Sequence, residues 1–389
     1  MGNTGRHVDA THFVERGPTP EPKRMQRGFS MTRVTLARPA LVHLALAGLT
    51  IVGVAALVLA AGPLNPPAGA VTSTYKTLSE VEPRTAINVT NTPGVAAALF
   101  RIAQPGSYYL TGNITGVANK HGIEIMASGV TLDLNGFELV GVAGSRDGVS
   151  ATSAELTNIA VVNGSVRNWG GDGVDLATSG VINYRVVGVL ASGNDGFGIA
   201  TASGGTVTSC SAYENTGHGI STSNGSMVTN CSVTMNGASG ISTGSGCGVL
   251  SCAALLNAAR GITVGSGSTV ADCTAQQNAL DGIVCTFNCV IRGNTCSFNG
   301  TGGDGAGVHA TSSANRIEGN TCTSADRGID VDGVRNVIIR NTCSGNTNNW
   351  DVVAGNVILV VNAATAGVVT GNSGGVAPGS TDPNANFTY

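Results

Sequence analysis

The sequence predicts an all-β solenoid, and three observations carry that expectation: a composition poor in the residues of helical folds, a gapless repeat, and apolar columns that only stacking can bury. Of 389 residues, 11% are charged against about 25% in an ordinary globular protein, and 57 are glycine, about twice the usual share. Helical bundles and coiled coils build their surfaces from Glu, Lys, Arg, Leu and Ala. This chain holds three lysines, Lys23, Lys76 and Lys120. A hydrophobic fraction of 42% and a net charge of -3 are the opposite of a disordered composition. Beyond residue 70 there are 13 Lys plus Arg against 20 Asp plus Glu, so nucleic acid is excluded as a partner.

The chain opens with a polar, basic tail over 1–38. An apolar segment over 39–62 follows, whose run 41–62 (LVHLALAGLTIVGVAALVLAAG) is preceded by Lys23, Arg24, Arg27, Arg33 and Arg38. Positive charge ahead of an apolar run keeps the N-terminus inside. The run reads either as the h-region of an export signal, cleaved near Ala68-Gly69-Ala70, or as a retained transmembrane anchor able to cross about 30 Å of hydrocarbon. Both readings make the remainder extracytoplasmic, secreted or anchored, with membrane contact only through 41–62. Residues 63–104 (starting PLNPPAGA) read as linker and N-terminal cap, 105–365 as the solenoid, and 366–389 as a C-terminal tail or cap.

Four segments align without a gap, beginning at Phe197, His218, Ser239 and Arg260, with a period of 21 residues. Counting from Gly198, Gly219, Gly240 and Gly261, the next residue is always Ile, the ninth always Val, the twelfth always Cys (Cys210, Cys231, Cys252, Cys273) and the seventeenth always Asn (Asn215, Asn236, Asn257, Asn278). Looser copies start at Gly122, Gly148 and Gly173 before this block and at Gly282, Gly307 and Gly328 after it, giving about ten rungs of 21–26 residues. A leucine-rich repeat needs a Leu-x-x-Leu-x-Leu strand that is missing here, and helical repeats are longer. Each unit holds a short β-branched strand at its Gly-Ile, a Gly/Ser/Asn turn and a longer apolar-alternating stretch. No unit buries its apolar side alone, so the units must stack as coils of a parallel β-helix, about 4.8 Å apart. The Ile, Val and Cys columns then form the interior. The Asn column is expected to form a hydrogen-bonded ladder, and the glycines to sit where φ is positive or bending is tight.

These repeats resemble the right-handed parallel β-helix of the pectin-lyase-like superfamily, and Pro105 to Gly141 (PGSYYLTGNITG…HGIEIMASGVTLDLNGFELVG) resembles the opening coils of its bacterial exported members. The resemblance covers about residues 71–389. It implies a single-stranded right-handed coil whose partner is a polysaccharide or cell-envelope glycan, bound or processed by lyase, hydrolase or epimerase chemistry. The same superfamily holds tail-spike depolymerases and members without demonstrated catalysis, so fold alone assigns no activity. A non-enzymatic surface or adhesion module is the alternative, and the featureless Ser/Thr/Gly faces of 197–280 favour it.

Alternation along the Gly-Ile strand turns the second residue after each origin glycine outward, giving Glu124, Ser150, Asp175, Ala200, Ser221, Ser242, Thr263, Val284, His309 and Asp330 in one column. Chemistry should therefore sit near an end. Towards the C-terminus, His309 and Asp330 fall in adjacent rungs, Asp332 follows on the same face, and Arg327 and Asp326 precede it. These are the candidate catalytic residues: His309, Asp330 and Asp332 for acid/base work and Arg327 to hold a uronate, against an ordinary solvated face. Towards the N-terminus, Asp147, Asp172 and Asp175, with Glu124 nearby, are candidate oxygen ligands for Ca²⁺. Gly170 to Asp175 (GGDGVD) satisfies one copy of the G-G-x-G-x-D calcium repeat, whose sites need tandem copies. Gly217-His218-Gly219 is similar to the Gly-His-Gly of polygalacturonases, but the paired aspartates and Arg-Ile-Lys stretch of that family are missing. A lyase base would have to be one of Arg260, Arg292, Arg327, Arg335 and Arg340, because no lysine follows Lys120.

Seven cysteines (Cys210, Cys231, Cys252, Cys273, Cys296, Cys322, Cys343) are expected in one column of small buried side chains. Cys247, Cys285 and Cys289 stand off it, and Cys285 with Cys289 is the expected disulfide or reactive pair. Sugar-binding grooves offer exposed aromatic platforms, for which Trp169, Trp350, Tyr108, Tyr109, Tyr184 and Tyr213 are the candidates. An interior Cys231 gives a test: Cys231→Ala should lower unfolding free energy by about 1 kcal/mol, whereas Cys231→Asp should abolish folding, because an unpaired charge would be buried. Export of a stable, soluble Asp variant would place the column outside.

Overall fold

The computed structural model describes residues 82–178, 182–300, 303–362, 368–371 and 382–388. The tail, the apolar run 41–62 and the Ala68 triplet lie outside the described residues. No helix among the described residues is long and apolar enough to cross a membrane.

Every described regular element is a strand, and every strand pairing is parallel. One sheet of 13 strands takes a single strand from each turn, in chain order from Ala98–Ile102 to Val368–Gly371. Ten of these contain or follow the origin glycines. Ala98–Ile102 precedes them, and Asn348–Val352 and Val368–Gly371 extend the stack beyond them. Ile199, Ile220, Ile241 and Ile262 pair in register, and all four are fully buried.

The rest of each turn belongs to a second sheet of 24 strands. In the regular block it holds two short strands per turn, such as Met227–Thr229 and Ser232–Thr234, separated by Asn230 at φ 54°. Three corners therefore close each coil, and each needs a left-handed residue. Gly225 (φ 66°), Asn230 and Met235 (φ 55°) supply them in one rung, Gly246, Ser251 and Leu256 in the next. L-residues pay for this conformation in Cβ crowding, and Leu256 does so while 41% exposed.

Glycine at positive φ is found at these corners, whereas at the repeat origins φ is ordinary. There the constraint is space. A Cβ at Gly240 would come within 2.6 Å of Val233 Cγ2, 2.7 Å of Asn257 Nδ2 and 2.8 Å of the Gly261 carbonyl oxygen.

The Asn ladder is present. Asn215 Nδ2 donates to Asn236 Oδ1 at 3.0 Å and to the Ala191 carbonyl at 3.1 Å, and its backbone N–H donates to the same Asn236 oxygen at 3.2 Å. The pattern repeats through Asn257, Asn278 and Asn299. All are buried, so the amide side chain satisfies corner groups that water cannot reach.

The cysteines form not one column but four kinds of position, one of them held by Cys285 alone, in the 13-stranded sheet beside Ala310. Cys210, Cys231, Cys252 and Cys273 sit at a corner, each thiol directed at a carbonyl 24 residues back, at 3.6 Å for Cys231 and Val207. That column continues in Asn294, Asn320 and Asn341, whose amides bond the equivalent carbonyls at 2.9–3.1 Å. Cys296, Cys322 and Cys343 instead pair with Ala275 and with one another inside a neighbouring strand. Cys247 and Cys289 share a further corner with Ser226, Ser268 and Asn315. All ten thiols are free and buried, so Cys285 and Cys289 are not disulfide-bonded. Polar hydrogen bonding at a corner, not size alone, selects cysteine in the regular block.

Two substitutions separate packing from backbone strain. Gly240→Ala should lose about 1–3 kcal/mol by overpacking, whereas Leu256→Asn, which tolerates the left-handed corner, should gain roughly 0.5–1 kcal/mol. Urea denaturation of the two variants reads both signs.

Candidate functional site

Residues just before the origin glycines line the entrance edge of the 13-stranded sheet, and His121, Asp147, Asp172, His218 and Asp281 fasten one rung to the next there. His121 Nδ1 accepts the Asp147 amide at 3.3 Å, Asp147 Oδ1 the Asp172 amide at 2.9 Å, and Asp172 Oδ1 the Phe197 amide at 2.7 Å. His218 Nδ1 accepts the Ser239 amide at 3.1 Å while its ring stacks on Phe197 at 5.2 Å. His218 therefore acts as a rung fastener.

Asp147, Asp172 and Asp175 lie on neighbouring rungs, each with one carboxylate oxygen already accepting a backbone N–H; for Asp175 the donor is Ala177 at 2.9 Å. Asp147 also meets His121 Nδ1 at 3.0 Å. Burial, reinforced by the charges of Asp175 and Asp147, pushes the Asp172 carboxyl up to about 6. Burial raises Asp175 too. Glu124 is held by Arg101 at 2.6 Å and by the Thr152 hydroxyl at 2.7 Å.

At the other end of the same face the structure brings the candidate catalytic residues together. His309 pairs in register with Asp330, and Asp330 with Asp351. His309 Nε2 lies 3.0 Å from Asp332 Oδ2 and 3.8 Å from Asp330 Oδ2, and its Nδ1 lies 3.6 Å from Asp281 Oδ1. Among the described residues, His309, Asp330 and Asp332 are the His/Cys/Asp/Glu group whose potential ligand atoms all fall within 4.8 Å of one another. Arg327 contacts Asp304 at 2.5 Å, Asp351 at 3.1 Å and Asp330 at 3.6 Å. Asp326 stays apart from this group and accepts the Gly305 amide.

The electrostatics assign distinct states. Burial would depress the His309 imidazolium, but pairing with Asp281, the hydrogen bond to Asp332 and the charge of Asp330 outweigh it and raise its pKa to about 9. His309 is thus a cation at neutral pH, not a base. Asp330 is 8% exposed, and burial pushes its carboxyl up to about 6 against the pull of His309 and Arg327. Asp281 is held below the usual carboxylate range because His309, the Ala306 amide and Arg260 overcome its burial.

Sequence reading missed Asp281, Asp304 and Asp351. Asp351 stands 21 residues after Asp330, so extending the repeat by one period finds it. The aromatic candidates largely fail as platforms: Trp169 and Trp350 are fully buried, and Tyr108 and Tyr184 are buried too. The exposed aromatics towards this end are Phe287, Phe298 and Phe387, and Phe298, 52% exposed, stands on the wall of a depression of about 360 Å³ that Asp326 also lines.

A family model described as the right-handed β-helix region matches residues 147–296, in agreement with the parallel coil described above. Among solved structures, the A-module of the Azotobacter vinelandii mannuronan C-5 epimerase AlgE6 aligns at 14% identity and TM-score 0.48, over 73% of this chain and 90% of that one. The Dettilon tailspike protein aligns at 16% identity and TM-score 0.47, over 75% and 60%. Pectate lyase Pel9A aligns at 15% identity and TM-score 0.34, over 72% and 73%. The likeness is one of fold. No curated protein matches the sequence.

The site yields a titration test. His309 has a folded pKa raised above about 6.5, so its pairing stabilises the fold fully below that pH and the gain is lost as pH rises through about 9. Asp281→Asn keeps an acceptor for the Ala306 amide but removes one charge, and should lower the His309 pKa by at least about one unit. Imidazole NMR across pH 5 to 10 measures it; an unchanged midpoint would discard the Asp281 contribution.

Proposed function

We propose that the chain binds a polysaccharide along the outward face of the 13-stranded sheet and hydrolyses it at the His309, Asp330 and Asp332 cluster. One observation carries the reading: a buried carboxyl pushed up to about 6 stands within 4.8 Å of a second, 58% exposed carboxylate. A carboxyl that retains its proton beside one that serves as base or nucleophile is the division of labour in glycoside hydrolysis. That bound on the oxygen separation is nearer the roughly 5–5.5 Å of retaining enzymes than the roughly 6.5–9.5 Å of inverting ones.

In this scheme Asp330 donates its proton to the glycosidic oxygen as the bond to the leaving sugar breaks. Asp332 attacks the anomeric carbon and forms a covalent glycosyl ester. Asp330, now ionised, takes a proton from water, whose oxygen displaces Asp332. His309 holds the attacking oxygen of Asp332 in place and offsets its charge. Exposed Phe298 offers an apolar face to a sugar ring.

Screening the chain on neutral and charged polysaccharides tests the proposal. Activity should fall as pH rises through about 6, as Asp330 loses its proton. Asp330→Asn should cut kcat by roughly 10²–10⁴-fold, with circular dichroism confirming the fold. Activity that survives both Asp330→Asn and Asp332→Asn removes this site. Absence of binding to any polymer favours the alternative of a structural or adhesive coil, in which the same ion pairs only fasten the rungs.

A further inference from the structure

The far edge of the reactive face points to the sugar that Asp332 takes up, an inference that rests on the hydrolytic reading above. Each strand of the 13-stranded sheet leaves the face through a short turn that ends in a corner, and the residue before the corner stands on the edge. In the regular block these residues are Asn224, Ser245 and Ser266, ahead of the positive-φ corners Gly225, Gly246 and Gly267. In the next three rungs they are Phe287, Ser313 and Val334, ahead of Asn288, Ala314 and Arg335, whose φ is also positive. All six form one column, because the carbonyl of each accepts the corner N–H of the rung before, at 2.9 Å from Gly267 to Phe287 and 3.3 Å from Ala314 to Val334. Phe287 is 48% exposed and Val334 43%. Apolar side chains thus enter an otherwise polar edge in the rungs that carry Asp281, His309 and Asp330. A single exposed apolar residue needs no explanation. Two in one column, beside a reactive cluster, form a surface.

The turn that carries Phe287 is anchored at both ends. Cys285 is fully buried in the sheet, and Cys289 Sγ donates to the Phe287 carbonyl at 3.5 Å. The backbone beneath the ring is therefore fixed before a ligand arrives, which lowers the ordering cost of binding.

The reaction scheme decides what covers this edge. Asp330 protonates the leaving oxygen, and Asp332, two residues further along the chain, attacks the anomeric carbon. The bond from that oxygen to that carbon accordingly points the way the strand runs, towards Val334 two residues on. The turn side chains there, Thr286, Phe287, Ser312, Ser313 and Val334, carry no charge; the cation that follows, Arg335, occupies the corner itself. A pyranose can turn a face of C–H bonds to an aromatic ring while its hydroxyls stay in water. We propose that this edge is the binding subsite of the sugar transferred to Asp332, an uncharged pyranose stacked on Phe287 and bordered by Val334.

Affinity electrophoresis of the full chain through gels holding hydroxyethyl cellulose, galactomannan, dextran or polygalacturonate tests the subsite. At least one of the three neutral polymers should retard the chain, and Phe287→Ala should weaken that binding by at least about tenfold. Phe287→Trp should retain it. Because Trp169 and Trp350 are fully buried, the exposed indole of that variant should report contact directly, its fluorescence shifting to the blue as polymer is added. Met227→Ala, at an exposed apolar side chain of the second sheet, should change nothing. Undiminished affinity in Phe287→Ala, an unshifted indole spectrum at saturating polymer, or retardation by polygalacturonate alone overturns the subsite while leaving the glycan reading intact. No retardation by any of the four overturns both.

Discussion

Each rung of this coil depends on one constraint: its buried corner groups must be satisfied by the rung above or below, because water cannot reach them. The left-handed corner residues keep their ladder bonds, as Met235 N–H does to the Leu255 carbonyl, but the amide that follows the corner meets a side chain of the next rung instead, as Asn236 N–H does at Asn257 Oδ1. An unmet donor in the interior costs on the order of 1–3 kcal/mol, so a side chain has to intervene at every turn. Asparagine does this best, since one amide accepts from the preceding rung and donates to a carbonyl beneath it. The ladder from Asn194 to Asn299 is that solution copied. The corner that runs from Cys210 to Asn341 shows the same constraint met by two chemistries, a thiol in the regular block and an amide after it.

The constraint also governs where chemistry can arise. In the 21-residue block the outward column is Ala200, Ser221, Ser242 and Thr263, small or neutral groups that can stand directly above one another. Like charges opposed across strands are destabilising. Charges gather instead where the period lengthens. The 25-residue steps from Gly148 to Gly173 and from Gly282 to Gly307 bracket the block, and the second carries Asp304, which reaches across to Arg327. Insertions give the otherwise uniform coil room for side chains from different rungs to converge.

The legibility of the sequence follows from the same physics. The Ile column, the Asn ladder and the pairing of His309 with Asp330 could be read because a repeat converts sequence spacing directly into strand register. The column of Cys296, Cys322 and Cys343 could not, because these cysteines lie two residues further along the coil than Cys210 to Cys273, and residue identity conceals that offset. Asp351 escaped because its rung has Asn349 where the others have glycine, so the motif used to count rungs stops short. Nor does spacing reveal protonation. His309 reads as an acid/base residue in sequence and is a cation in the fold, since its state is set by Asp281 on the rung before it and by Asp330 and Asp332 on the rung after it.

That state bears on why the cluster exists. Asp330 and Asp351 oppose each other in register, the arrangement that the middle of the column avoids, and Arg327 offsets them from 3.6 and 3.1 Å. A coil under selection for stability alone has a simpler answer available, the Ser and Thr it already uses three to five rungs away. Local departures from the rule that the rest of a structure obeys mark places held for function. Here the departure comprises a buried carboxyl with a raised pKa, a cationic imidazole and an exposed carboxylate on one open face. The apolar columns and the Asn ladder that build the coil call for none of the three.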